Sequence, residues 1–333
     1  MTPRSRLIAS LLVVGLVGCA GPGGTSEPSV GSLSPPPISS GSPTSSPSQS
    51  IATPSPTTVP TSSPTPTPTP TVTLAPTTEP TQPPVPKTMI VRAYFLLADR
   101  EGDDPRIVPV LRTVPQSTAK IGAAMDALLA GPSAKERSAA PRISSALASD
   151  IQLLSARVAG RIATVDLSGS FVATNAKTAI RRRLAQVVYT VTQFPGIDLV
   201  EFLVEGRPIA TSGPGWSDYD AVLSRVIFWD DLLPAIFVDR PAWGAGYPSG
   251  SHITGIANAF EAQFRIALRA HDGTVLGEQA VHTACGSGCW ADFDVTFRYD
   301  VPVAQWGTLR VWDVSEANGS TIDLRVYPVY LRP

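Results

Sequence analysis

Histidine and cysteine are scarce in this chain, three of each among 333 residues. Any zinc-type site or thiol chemistry must therefore draw on His252, His271, His282, Cys19, Cys285 and Cys289. A surplus of either charge is also missing: 26 Lys and Arg face 27 Asp and Glu, for a net charge of −1. Residues 88–234 carry +1 and residues 235–333 carry −3, so neither segment has the basic surface that nucleic-acid binding needs. No nucleic-acid partner is expected. Long apolar runs are absent as well. The run from Leu7 to Val17 is too short to cross a bilayer of ~30 Å as a helix.

Proline is what the chain has in abundance. Residues 20–86 hold 19 of its 34 prolines and 28 Ser and Thr, together 47 of 67 positions. Such a stretch buries too little apolar surface to offset the entropy of ordering it, so a disordered Pro/Ser/Thr linker is predicted. Its Thr65-Pro66-Thr67-Pro68-Thr69-Pro70 core favours polyproline II, a stiff form solvated by water. The remaining ~245 residues are enough for two ordinary domain cores.

Arg4 and Arg6 precede the short apolar run, the pattern of a secretory signal peptide. The run ends in Leu16-Val17-Gly18-Cys19, which resembles the bacterial lipobox, in which the cysteine is acylated. The expected organisation is a signal peptide over 1–18 and a lipidated Cys19 opening a stalk over 19–87. Two folded segments follow, 88–234 and 235–333. Two or more acyl chains suffice for stable anchoring, at ~0.8 kcal/mol per buried methylene. The expected location is the extracytoplasmic face of the cell membrane, the lipid being the membrane contact.

In the first folded segment Met89–Leu97 and Ile107–Val114 read as strands. Ser117 or Thr118 is placed to cap a helix whose Ile121, Met125, Leu128 and Leu129 share one face, and Gly131-Pro132 stops it. Strands over 151–158 and 162–167 follow. A second helix over 176–193 puts Ile180, Leu184, Val187, Val188 and Val191 on one stripe, with Arg181, Arg182 and Arg183 beside it. A strand over 199–204 closes the unit. The order β-β-α-β-β-α-β describes an α+β sandwich with helices covering one sheet face.

Tyr94-Phe95-Leu96, Ala127-Leu128-Leu129-Ala130-Gly131-Pro132, Val165-Asp166-Leu167-Ser168 and Leu184-Ala185-Gln186-Val187-Val188-Tyr189-Thr190 resemble the GerMN domain, named from a spore-germination lipoprotein. The resemblance implies a ring-building-motif type of sheet with two helices, used in bacterial envelope assemblies. It brings no catalytic residues. Similar domains occur in actinobacterial lipoproteins with a role in cell-wall signalling.

Helical periodicity ends near residue 235, and seven strands follow at sandwich spacing. Phe264, Ile266 and Leu268 alternate with Gln263, Arg265 and Arg269, and Phe293, Val295, Phe297 and Tyr299 with Asp292, Asp294, Thr296 and Arg298. An all-β immunoglobulin-like sandwich is predicted. Ile256-Ala257-Asn258-Ala259-Phe260-Glu261 and Asp272-Gly273-Thr274-Val275-Leu276 resemble the immunoglobulin-like module that accompanies spore-germination proteins, again without an active site.

Cys285 and Cys289 bracket three residues, and in an oxidising compartment they read as a disulfide. A metal site using His282, Cys285 and Cys289 and a pair of free thiols are the alternatives. Ser117-Thr118-Ala119-Lys120 matches S-x-x-K of penicillin-binding enzymes, but the companion K-T-G is missing. No G-x-S-x-G accompanies the three histidines. Asp230-Asp231, and Asp292 with Asp294, read as solvated faces. Neither an enzyme nor a cofactor is expected. The partners this leaves are an envelope protein or a second copy, docked on Arg181, Arg182 and Arg183, or a cell-wall glycan stacked on some of the six tryptophans.

Overall fold

The computed structural model describes residues 87–98, 103–219 and 222–333. The signal peptide, Cys19 and almost all of the stalk expected from the sequence lie outside them. The chain forms an α+β domain followed by an immunoglobulin-like β-sandwich, both within the unit Glu79–Pro333.

The first domain contains β1 (Thr88–Leu97), β2 (Arg106–Pro115), α1 (Lys120–Leu129), α2 (Ala134–Ser138), β3 (Ile143–Ser144), β4 (Leu153–Ala159), β5 (Ile162–Leu167), α3 (Lys177–Val191), β6 (Leu199–Val204), β7 (Arg207–Pro208), β8 (Val222–Leu223) and α4 (Trp229–Leu232). Its strands divide into two sheets, β2-β1-β3 and β4-β5-β6-β7, with β8 pairing β6. β5 and β6 run parallel, joined by the α3 crossover, while β1 and β2 form an antiparallel hairpin. The helices therefore do not cover one sheet: α1 and α3 pack on each other, α1 also touches β1 and β4, and α3 touches β1 and β6.

That placement corrects the reading of α3. From Arg183 to Val191 every residue is buried, Gln186 and Thr190 included. Enclosed polar groups need partners. Gln186 donates to the Tyr94 carbonyl (3.0 Å) and accepts from the Ala146 amide (2.8 Å), and the Thr190 hydroxyl accepts from the Tyr94 amide (3.1 Å). The start of α1 also differs from expectation. Its N-cap is Ala119, without a side-chain cap, because the Ser117 hydroxyl accepts from the Ala119 amide in a tight turn before the helix. α2, which the sequence reading passed over, has a full capping box, Ser133 with Glu136, and Glu136 also takes Arg112 through both carboxylate oxygens (2.9 and 2.6 Å). Burial opposes it, but the Arg112 guanidinium and the Ser133 backbone and hydroxyl contacts together hold the Glu136 carboxyl below its ordinary pKa.

The second domain contains β9 (Ile236–Arg240), β10 (Gly246–Tyr247), β11 (His252–Ala257), β12 (Gln263–Arg269), β13 (Val275–His282), β14 (Ala291–Thr296), β15 (Gln305–Val314) and β16 (Thr321–Leu331). One sheet is β14-β11-β9 and the other β10-β16-β15-β12-β13, with β10 parallel to β16. The seven expected strands are present, and β10 is an addition two residues long. Phe264, Ile266 and Leu268 are buried as the alternation requires, each burial stabilising by ~1.5–3 kcal/mol. Arg265 on the outer face pairs with Glu278 across the strands (2.6 Å).

The two cores expected from chain length are one. Buried apolar side chains run continuously from Tyr94 and Tyr189 through Phe228 and Phe237 to Phe264, Phe293 and Tyr327. Backbone joins the halves too: Trp243 donates to the Pro109 carbonyl (2.8 Å) and bridges Val110.

Candidate functional site

The seam between the domains collects polar and aromatic side chains that local sequence patterns keep far apart. β9 follows α4 after three residues and pairs with β11, with a register shift: Val238 faces Gly255 and Arg240 faces Thr254, so Asp239 is the extra residue. A bulge of this kind re-aims a side chain. The Asp239 carboxylate accepts from the Tyr94 hydroxyl and lies 3.7 Å from the Arg92 guanidinium, both on β1. Burial, then the negative charge of Asp239, pushes the Tyr94 phenol up to about 12. Tyr94 therefore stays a neutral donor.

Arg225, in the turn before α4, stacks over the rings of Tyr189 (4.6 Å) and Tyr94 (5.3 Å). Its Nε donates to the Thr192 hydroxyl (2.7 Å) and its Nη2 to the Tyr189 carbonyl (3.0 Å), which ties the end of α3 to the seam. Tyr189 meets Phe237 edge-on at 5.9 Å, and its phenol too is pushed up by burial. Trp229 packs on Trp290 (5.9 Å), whose indole N–H donates to Asp230 (2.8 Å).

Beside this network an open cleft of about 560 Å³ lies over the outward face of β9, β11 and β14. Tyr189, Arg225 and Trp229 of the first domain form one wall, and Phe237, Asp239, Thr254, Ile256, Asp292 and Asp294 of the second form the other. Gly255 is needed where the sheet passes beneath: a Cβ there would overlap the Phe237 carbonyl and come within 2.8 Å of the Phe293 ring. The lining offers hydrogen-bond donors, acceptors and ring faces, the equipment of a binding site.

The residues singled out from sequence are distributed otherwise. Arg181 binds Asp231 (Nη2 to Oδ1, 2.7 Å) and the Ile227 carbonyl, and Arg182 reaches Asp104 at 3.1 Å. Arg183 is buried and donates to the carbonyls of Ala146, Ser170 and Phe171. Arg183 is thus spent inside the chain, while Arg181 and Arg182 are part-exposed and each held in an ion pair. Cys285 and Cys289 are joined as a disulfide, Cα atoms 5.9 Å apart, which removes both sulfurs from the alternative metal set with His282. Among the described residues no group of three or more His, Cys, Asp or Glu is arranged to hold a metal ion. Lys120 is exposed and the Ser117 hydroxyl is occupied by the turn. His252 pairs with Asp294 (2.7 Å). Of the tryptophans, Trp216 is fully buried and donates to the Thr174 carbonyl, Trp306 lies exposed against Tyr330, and Trp229 and Trp290 meet at the seam, where the Trp243 backbone also joins the halves. Asp292 and Asp294, read as a solvated face, stand on the rim of the cleft.

Sequence reasoning missed Arg225, Asp239 and the seam role of Tyr94 and Tyr189. They are spread over about 150 positions, and no local period links them.

Comparison with known families settles what the two halves are. Residues 92–210 match the Germane family, described as sporulation and spore germination, and residues 235–320 match Gmad2, the immunoglobulin-like domain of bacterial spore germination. The chain carries a Germane domain followed by a Gmad2 domain. Among solved structures, the tandem GerMN domains of the sporulation protein GerM from Bacillus subtilis are 22% identical at a TM-score of 0.31. That match covers 38% of this chain and spans only 43% of the tandem structure. The first GerMN domain of the same protein is 21% identical at a TM-score of 0.30, over 41% of this chain and 98% of that one. No curated protein matches the chain. The domain pair is of a germination-associated, envelope type, and neither family is a known enzyme family. Among the described residues no helix is long and apolar enough to cross a membrane.

Proposed function

We propose that this Germane–Gmad2 chain is a non-catalytic accessory module of the cell envelope, lipidated at Cys19 and held outside the membrane on its Pro/Ser/Thr stalk. It acts by contact, with an envelope protein or with further copies of itself. The observation that carries this reading is the pairing of the two germination-type domains in one chain, fused through a continuous core into a single presenting body. A stiff stalk of 67 residues, at ~3.1 Å per residue, gives that body a reach of up to ~200 Å.

Two measurements test it. Cross-linking of the native chain in cells is expected to trap one specific protein or a defined self-oligomer; recovery of monomer adducts alone overturns the contact role. A Cys19→Ala chain is expected to leave the membrane fraction and lose its acyl label. Retention of both overturns the anchor.

A further inference from the structure

β4 has a strand edge that the fold leaves open. It ends the sheet β4-β5-β6-β7, and among the described residues it pairs with β5 alone. The register slips once, at Leu154, and is then regular from Ser155 to Ala159. That segment holds no proline, and its one charged residue is Arg157. The unpaired amides and carbonyls of such an edge are a template for another strand unless proline, several charges or a covering element blunts it.

The two faces of this edge differ. Ala156 and Val158 stand opposite Val165 and Ala163 of β5, both buried, so they point to the helix side of the sheet. There an open groove of about 400 Å³ lies between β4 and the start of α1. Buried Ile121 and Ile197 line it together with half-buried Leu153, Ala156 and Phe194, and Val158 is left 50% exposed. Arg157 stands opposite Thr164, on the other face of the strand.

Charge selects what fits. Lys120, exposed at the start of α1, and Arg157 border the groove, and no carboxylate does. Neither cation is in an ion pair among the described residues. The adjoining end of α1 has the same sign, with no acidic residue in its first turn and no side-chain cap. A strand laid beside β4 places alternate residues in two surroundings: apolar ones over Val158 and the groove, acidic ones beside Arg157. A basic strand would meet like charges, and one apolar on both faces would gain nothing from Arg157.

We propose that the β4 edge takes up an extended segment of an envelope protein whose residues alternate apolar and acidic. The segment adds to the sheet as a further strand, held by main-chain hydrogen bonds, with its apolar side chains over the groove and its carboxylates toward Arg157. This deepens the contact role proposed above and rests on it, giving that contact a place and a chemistry. A partner docked elsewhere would leave the cross-linking result standing and remove only this site.

The probe is an end-blocked octapeptide of alternating valine and glutamate, titrated into the full chain in detergent beside its valine–lysine counterpart. Saturable binding of the glutamate peptide is expected, with the lysine peptide about tenfold weaker or more. Hydrogen exchange should slow in β4 and at the start of α1. Lys120→Glu combined with Arg157→Glu should reverse the preference between the two peptides. Both positions are exposed, and a melting temperature establishes that the variant folds. Lack of saturable binding of the glutamate peptide at millimolar concentration overturns the proposal. So does protection confined to another strand, or a preference that the double substitution leaves as it was. A dimer of the chain formed through β4 that shuts the peptide out, seen by sedimentation, assigns the edge to a second copy and overturns it as well.

Discussion

The Gmad2 half and the Germane half bury their polar residues by opposite routes, and the contrast explains why one is easy to read and the other is not. In β12 the polar side chains simply alternate outward, so Arg265 finds Glu278 at the surface and the inner face of that strand is apolar. In α3 the helix is enclosed from Arg183 to Val191, and Arg183, Gln186 and Thr190 are satisfied by backbone groups from β1, the loop after β3 and the turn after β5. The first arrangement is held by area and the second by geometry. At the seam the two meet: the extra residue of a β-bulge, Asp239, enters the polar network of the α/β half.

If the core is truly shared, damage on one side must be felt on both. Phe237 belongs to the Gmad2 strand β9, is 2% exposed and meets Tyr189 of α3. Phe237→Ala is expected to cost ~3–5 kcal/mol. In chemical denaturation followed separately by helix signal and by tryptophan fluorescence, both transitions should move to lower denaturant together. Movement of the fluorescence transition alone would restore the picture of two independent cores.

The seam also carries a pH signature. Tyr94 has a folded pKa near 12 against an ordinary 10.0, because burial and then Asp239 disfavour the phenolate. The folded state therefore keeps its proton where the unfolded chain has lost it. This stability is complete below pH 10 and is lost as pH rises toward 12, by up to ~2–3 kcal/mol. Melting temperature should fall across that window, and Tyr94→Phe should flatten the fall. An unchanged slope would remove Tyr94 from the buried network.

These effects trace how much was legible beforehand. The Gmad2 strands declared themselves because one side of each sheet is wet, so burial repeats every second residue. In the Germane half the strands, both main helices and the apolar stripe of α3 were also readable. What escaped was the second sheet that encloses α3, since an all-round buried helix with Arg, Gln and Thr looks like an amphipathic one. β8 and α4, the pieces that bring Arg225 and Trp229 to the cleft, are two and four residues long, too short to carry a period. The candidate site is assembled from contacts far apart in the chain, and only Asp292 and Asp294 had been marked as a pair.

The arginine triplet separates the two burial routes within one helical turn. Arg183 is 8% exposed and serves three backbone carbonyls, so Arg183→Ala strands acceptors in the interior and should cost ~2 kcal/mol or more. Arg181 pairs with Asp231 at a half-exposed position. Arg182 meets Asp104, whose side chain is 82% exposed, so solvent screens most of the attraction. Arg182→Ala should therefore change stability by less than ~1 kcal/mol, and Arg181→Ala by an amount between the other two. Equal losses at all three positions, measured by urea denaturation at one salt concentration, would mean that α3 is solvated as its stripe suggests and that the second sheet does not close over it.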